Sequence, residues 1–288
     1  MTPLRQRMLE DMQMRNLAPL TQSAYVRAVA QLAQHYGKAP DRISREEVRA
    51  YLVELIQQRQ VSASRYNQVR CALRFFYQVT LGREWTLDHV VCQKTGRKLP
   101  VVLSRAEVAR FFSAIRRLKS RAVFMTLYAA GLRVSEVVTL RVRDIDSQRM
   151  VIRVCQGKGK KDRYVMLSPQ LLEVLRAYWK TCRPGAWLFA GQDRTRPLTC
   201  AAVRLACRRI ARRAGLRKRV TPHTLRHSFA TQLFENGAEL PVIQTLLGHA
   251  DPRDTMIYLH LATRKLRVAP NPLEMLNLPC APGREPVA

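Results

Sequence analysis

Five short segments of the chain carry side chains suited to work on a phosphate. In Ala130 to Leu140, AGLRVSEVVTL, Arg133 directly follows an apolar run. A solvated cation gains little there, so its guanidinium is expected to meet an anion, either Glu136 three residues on or a phosphate. In Thr221 to Leu233, TPHTLRHSFATQL, His223 and Arg226 lie three apart at the start of an expected helix and so project from one face. The free amides and dipole of a helix N-terminus favour phosphate at the same place. Leu246 to His260, LLGHADPRDTMIYLH, sets His249 after a Leu-Gly turn and Tyr258 nine residues later on a short helix starting near Asp254. The loop Gln156 to Asp162, QGKGKKD, offers Lys158, Lys160 and Lys161, and Arg208 to Arg219, RRIARRAGLRKR, holds seven cations.

Taken singly, each segment has a plainer reading. An internal ion pair with Glu136 accounts for Arg133, and a basic helix in solvent accounts for the cluster from Arg208. His223 and His227 have the i, i+4 spacing of a zinc-binding pair, but threonine stands at 224 where a metalloprotease helix carries glutamate, and a third ligand is not in view. No metal is therefore expected, and His227 reads as a packing histidine. Tyr258, near the end of an apolar helix, reads as a core aromatic with its hydroxyl at the surface. Their occurrence together in one chain weighs more than any of them alone.

The elements that must position these groups can be read from periodicity. Apolar residues recur at helical spacing over Thr21 to Tyr36, Ser44 to Gln58 and Ser62 to Leu81, with serine or threonine placed to cap each start. An opening helix across Leu4 to Met14 completes a four-helix unit ending near Trp85, on which Arg65, Arg70 and Arg74 offer a DNA-facing stripe or a solvated face. Periodicity fails from Glu84 to Leu103, where CQKTGRKLPVVL reads as a linker. Beyond it, Ser104 and Glu107 form a capping box opening a helix to Ile115, and Ala122 to Ala130 is a second helix closed by Gly131. Met150 to Cys155 and Arg163 to Leu167 read as a β-hairpin around the lysine loop. Helices resume over Pro169 to Thr181, Thr199 to Ala214, His223 to Asn236 and Pro241 to Leu247. The expected fold is mainly α with a small β-sheet. Its parts are a helical domain (1–85), a linker (86–103), a second, mostly helical domain (104–269) and a tail (270–288).

Composition bounds the partners. Lysine and arginine number 50 against 21 acidic residues, so 50 minus 21 gives a formal charge of +29. A chain this basic repels itself unless a polyanion is near, which makes nucleic acid the first partner to consider and an acidic membrane surface the second. The longest apolar candidate, Ala122 to Leu132, stops at Arg133 far short of a membrane span, and the opening MTPLRQRMLEDMQMR lacks the apolar stretch of a secretory signal. The chain is expected in the cytoplasm at the nucleoid, with no membrane partner. Its seven cysteines are scattered and never spaced as CxxC, which fits reduced thiols.

In AGLRVSE, GKGKKDR, HTLRH, LGH and MIYLH, taken in that order, the chain resembles the tyrosine recombinases, including the Xer recombinases and the integrases of phages and mobile elements. The resemblance covers essentially the whole chain and implies that 1–85 is a DNA-clamping, SAM-like domain and 104–269 the catalytic domain. It implies that Tyr258 attacks the scissile phosphate and retains it as a 3′-phosphotyrosyl bond, so that rejoining needs neither ATP nor any other cofactor. It implies that Arg133 and Arg226 grip the non-bridging oxygens, that His223 handles the tyrosine proton, that His249 hydrogen-bonds the phosphate and that Lys158 protonates the leaving 5′-oxygen. Glu136 is expected to orient Arg133. Lys160, Lys161, Arg208, Arg209, Arg212 and Arg213 are expected along DNA phosphates, with Lys160 and Lys161 also able to share the role of Lys158. By resemblance the partner is a duplex recombination site held by a tetramer, and the apolar tail residues Leu273, Met275, Leu276 and Leu278 are expected to pack on a neighbouring protomer. A type IB topoisomerase and a non-catalytic DNA-binding relative are the alternatives; relaxation of a plasmid without a cognate site distinguishes the first, and lack of covalent DNA the second. If 6–10 phosphates are contacted, affinity for duplex DNA should fall by about 10³–10⁵ between 50 and 200 mM salt. A filter-binding titration across that range checks this, and a flat response would remove the polyanion as the dominant partner.

Overall fold

The structure, a computed structural model, describes residues 2–84, 92–93, 99–155 and 162–261. The chain divides into two compact units, Met1–Lys98 and Leu99–Ala288. In the first, α1 (Pro3–Met14), α2 (Pro19–Tyr36), α3 (Arg45–Gln57) and α4 (Ala63–Arg74) surround a core that includes Met12, Leu32, Tyr51, Leu73, Phe76 and Tyr77. Local chemistry sets the starts: Ser44 and Glu47 close a reciprocal capping box on α3, and the Ser62 hydroxyl accepts from the Arg65 amide on α4. The expected single helix to Leu81 instead widens into a π-helical stretch over Phe75–Thr80, which turns Phe76 and Tyr77 into the core. Arg74 is exposed and Arg65 half-buried, whereas Arg70 is buried and its guanidinium donates to the Cys92 sulfur at 3.1 Å. The three arginines therefore do not form one exposed stripe.

The second unit opens with α5 (Arg105–Ser113), started by the Ser104 and Glu107 capping box, followed by α6 (Leu118–Ala129) and the short α7 (Val134–Val138). Helix α6 begins four residues before the expected Ala122, because Leu118 packs on the core and carries the helix through the polar stretch Lys119 to Arg121. A three-stranded antiparallel sheet follows in the order β1 (Ile145–Asp146), β2 (Val151–Val154), β3 (Arg163–Met166), with Ile152 opposite Val165. The expected hairpin is β2–β3. Strand β1 is two residues long and has no alternation to read. Helices α8 (Pro169–Cys182), α9 (Cys200–Arg213), α10 (Pro222–Glu235), α11 (Leu240–Leu247) and α12 (Arg253–Leu261) complete the unit.

Two apolar clusters hold this unit together. The larger joins Phe111, Phe124, Leu127, Ile152, Val165, Tyr178 and Val203 across the sheet and most helices. The smaller joins Phe229, Ala230 and Phe234 of α10 to Ile243 and Leu247 of α11 and Tyr258 of α12. Among the described residues no helix is long and apolar enough to cross a membrane.

Gly131 ends the α6 region in the left-handed conformation, φ +59°, and a Cβ there would lie 2.5 Å from Phe229 Cε1 and 3.1 Å from Leu247 Cδ2. Gly131→Ala should therefore destabilise the protein by more than the roughly 1–3 kcal/mol of a strained backbone alone, measured as a lowered urea midpoint. An unchanged midpoint would show that Phe229 can withdraw at no cost.

Candidate active site

The site grows outward from Glu136. Arg133 occupies the N-cap position of α7, and Glu136, three residues on, reaches back to its backbone amide at 2.8 Å and its guanidinium at 2.9 Å. Arg163, the first residue of β3, donates to both oxygens of the same carboxylate, at 2.9 and 2.8 Å, in the bidentate geometry that a guanidinium fork suits. Arg226 Nη1 stands 3.8 Å from it. Burial alone would raise the Glu136 pKa; the hydrogen bonds and charge of Arg163, followed by those of Arg133, outweigh it and hold the carboxyl below its usual range.

The same three arginines close the end of α11. A helix leaves its last carbonyls without intrahelical partners, and here Leu246 O accepts from Arg163, Leu247 O from Arg226 and Gly248 O from Arg133, at 3.0, 2.7 and 3.1 Å. Gly248, at φ +62°, turns the chain past the helix end, and a Cβ on it would sit 3.0 Å from the Arg163 guanidinium. Arg226 also donates to Gly131 O at 2.8 Å, so four main-chain carbonyls and one carboxylate immobilise the three guanidinium groups. Arg226 is almost wholly buried, and burial followed by the neighbouring Arg133 brings its pKa down to about 10.

Helix α10 supplies the next layer. Thr221 caps it through the Thr224 amide, Pro222 occupies its first turn, and His223, Arg226 and His227 follow within that turn's reach. His223 is exposed; burial of the ring and then the Arg226 charge lower its pKa. His249, just past α11, bonds through Nδ1 to the buried Thr255 hydroxyl at 2.9 Å and lies parallel to the Tyr258 ring, 11° between planes and 6.4 Å between centroids. Burial, then Arg226, pushes its pKa down to about 4. Tyr258 on α12 has no exposed surface, and burial pushes its phenol up to about 12 against the opposing charges of Arg226 and Arg133.

Arg133, Glu136, His223, Arg226, His249 and Tyr258 thus gather from four separate segments into one place. Lys158, Lys160 and Lys161 lie outside the described residues. Arg208, Arg209, Arg212 and Arg213 lie on α9, whose buried face is Val203, Cys207, Ile210 and Ala211; all four are exposed, and Arg213 donates to Ala114 O at 3.2 Å. Two residues were not assigned from sequence. Arg163 ends the motif GKGKKDR without a visible partner, since Glu136 is 27 residues away. His227, read as a packing histidine, places Nδ1 3.1 Å from the Tyr258 hydroxyl; its i, i+4 relation to His223 was the one available signal. Among the described residues no three His, Cys, Asp or Glu side chains converge as a metal site would need.

Comparison with known proteins gives the following. Residues 102–265 match the phage integrase family and residues 4–87 the N-terminal SAM-like domain of phage integrases. A Sinorhizobium fredii protein named, provisionally, an integrase/recombinase is 50% identical over 280 residues, 97% of this chain and 91% of its own. The tyrosine recombinase XerD of Oceanobacillus iheyensis is 34% identical over 274 residues, 88% of this chain and 91% of its own. Among solved structures, the XerH site-specific recombinase bound to its palindromic difH substrate, a post-cleavage complex, superposes with a TM-score of 0.71 at 25% identity, covering 90% of this chain and 81% of that one.

The electrostatics carry a pH signature. His227 and His249 protonate near 6.5 in an unfolded chain and near 4 in the folded one. The unfolded state binds more protons between those values, so stability rises with pH from 4 to 6.5 and is level above. Urea midpoints taken from pH 4 to 8 should trace that rise, and His249→Gln should make it shallower; an unaltered slope would mean that His249 does not titrate there.

Proposed function

Because this chain belongs to the phage integrase family, the tyrosine recombinases, we propose that it cuts and rejoins duplex DNA at specific sites through a covalent 3′-phosphotyrosyl intermediate. In the first step the Tyr258 Oη–P bond forms and the P–O5′ bond breaks. The phenolic proton leaves through His223, and the departing 5′-oxygen takes a proton from Lys158. Rejoining is the reverse, with a 5′-hydroxyl attacking phosphorus and Tyr258 leaving. The bond energy stays in the phosphotyrosyl ester, so no nucleotide cofactor enters.

The observation that carries this reading is the fixed arginine cluster beside Tyr258. Three guanidinium charges stand against the single charge of Glu136, and 3 minus 1 leaves a surplus of two. A phosphorane flanked by two non-bridging oxygens carries matching negative charge. Because the guanidinium groups are held in advance, little reorganisation is needed when that charge develops. Arg133, with 18% of its side chain exposed, is the member best able to reach outward to a phosphate oxygen, and Arg226 supports it from within. His249, neutral at physiological pH, donates a hydrogen bond to the phosphate without adding charge.

The exposed arginines of α9, together with Lys158, Lys160 and Lys161, are proposed to follow the DNA backbone, contributing affinity and register. Two recombining sites need two pairs of nucleophiles, so the active assembly is proposed to be a tetramer, with residues 270–288 joining one protomer to the next.

A suicide substrate nicked beside the scissile phosphate tests the chemistry. Wild-type protein should accumulate a covalent protein–DNA band resistant to denaturant, and Tyr258→Phe should give none. Equal trapping by both proteins would sink the nucleophile assignment.

A further inference from the structure

The resting position of Tyr258 is not the position from which it can attack. The residue has no exposed surface, it belongs to the small apolar cluster that includes Phe229 and Leu247, and the His249 ring lies parallel to its own with centroids 6.4 Å apart. A DNA phosphate cannot approach an enclosed hydroxyl, so the tyrosine must come out. What holds it in is specific. Among the described residues, the one hydrogen bond of its hydroxyl is with the ring of His227, between Nδ1 and Oη at 3.1 Å, with ring centroids 5.9 Å apart. His227 is fixed on α10 between the buried Arg226 and Ser228, whereas Tyr258 rides on α12, a nine-residue helix that packs on α10 and α11 alone among the elements with which it makes substantial contact.

The pair is ill suited to exchange a proton in this state. Burial, then the neighbouring His223 and Arg226, keeps the His227 pKa near 4, and burial keeps the phenol near 12. An imidazole that weakly basic leaves the proton on the phenol, so the contact is a hydrogen bond between neutral groups. It serves to hold, not to activate.

We propose that His227 is a positioning residue that clasps the hydroxyl of Tyr258 in a buried, DNA-free resting state, and that breaking this bond is part of reaching the transition state. The inference rests on Tyr258 being the nucleophile. A hydrogen bond between neutral groups contributes about 1 kcal/mol net, equivalent to about fivefold in rate. Wherever on the path the release occurs, its cost lies between free protein plus DNA and the transition state. It therefore appears in covalent trapping measured with DNA far below saturation.

The test compares wild type, His227→Phe, His227→Asn and Tyr258→Phe on the nicked suicide substrate. His227→Phe fills the space without a polar atom and should trap DNA about fivefold faster than wild type; His227→Asn, whose amide restores a polar atom near Nδ1, should return the rate toward wild type. An unchanged or slower His227→Phe, with folding verified by its thermal transition, overturns the clasp. Covalent DNA on Tyr258→Phe overturns the nucleophile assignment instead, so the two failures are distinguishable. Should His227→Phe not fold, DNA-free wild type decides: tetranitromethane should nitrate Tyr164, which is 51% exposed, and leave Tyr258 unmodified. Equal nitration of the two overturns the proposal.

Discussion

A single buried carboxylate governs the site. Glu136 is enclosed by Arg133, Arg163 and Arg226, and neither its charge nor that of the buried Arg226 would be tolerated without compensation. An isolated ion in a protein interior costs several kcal/mol, and removing one partner of a buried pair costs about 3–5 kcal/mol because the other is left uncompensated. The cluster exceeds neutrality by two positive charges, which the end of α11 offsets in part. Three successive carbonyls at the negative end of that helix's dipole face the guanidinium groups. Function and stability are thus in tension at this point, and the residual charge persists because the arginines are tied to backbone that cannot move away.

The smaller apolar cluster has a related role. It fastens α10, α11 and α12 to one another through Phe229, Phe234, Ile243 and Leu247; α10 carries His223, Arg226 and His227, α12 carries Tyr258, and His249 follows the end of α11. The larger cluster reaches α7 and β3, which carry Arg133, Glu136 and Arg163. The two clusters meet at Gly131, where the missing side chain lets Phe229 and Leu247 approach the backbone and where the glycine carbonyl receives Arg226. Packing and the placement of Arg226 share this residue.

What could be read from the sequence was whatever is local. The cap at Ser44 and the capping box at Ser104 appear as expected, because cap and partner lie three residues apart, whereas Thr21 falls inside α2, which Pro19 opens after Ala18. The pairing of Arg133 with Glu136 was visible for the same reason, as was the order of the helices. What escaped depends on distance along the chain. Arg163 meets its carboxylate across 27 residues and His227 meets Tyr258 across 31, and nothing in the local pattern of either joins the two ends. Strand β1 was too short for its period to show, and Arg70 meets the Cys92 sulfur across 22 residues. The assignment of Tyr258 came from motif order, since a tyrosine with no exposed surface looks like any other core aromatic.

The acceptors that fix the arginines at α11 are main-chain carbonyls, not side chains. Substitutions at Leu246 or Gln244 can alter packing without deleting an acceptor, so drift in this helix can proceed while the guanidinium geometry is inherited unchanged. Position 248 is the exception, because any side chain there would intrude on Arg163. Designers who wish to redirect such a protein to new DNA could recut the outer surface of α11 freely and leave its last turn of backbone, and that one glycine, alone.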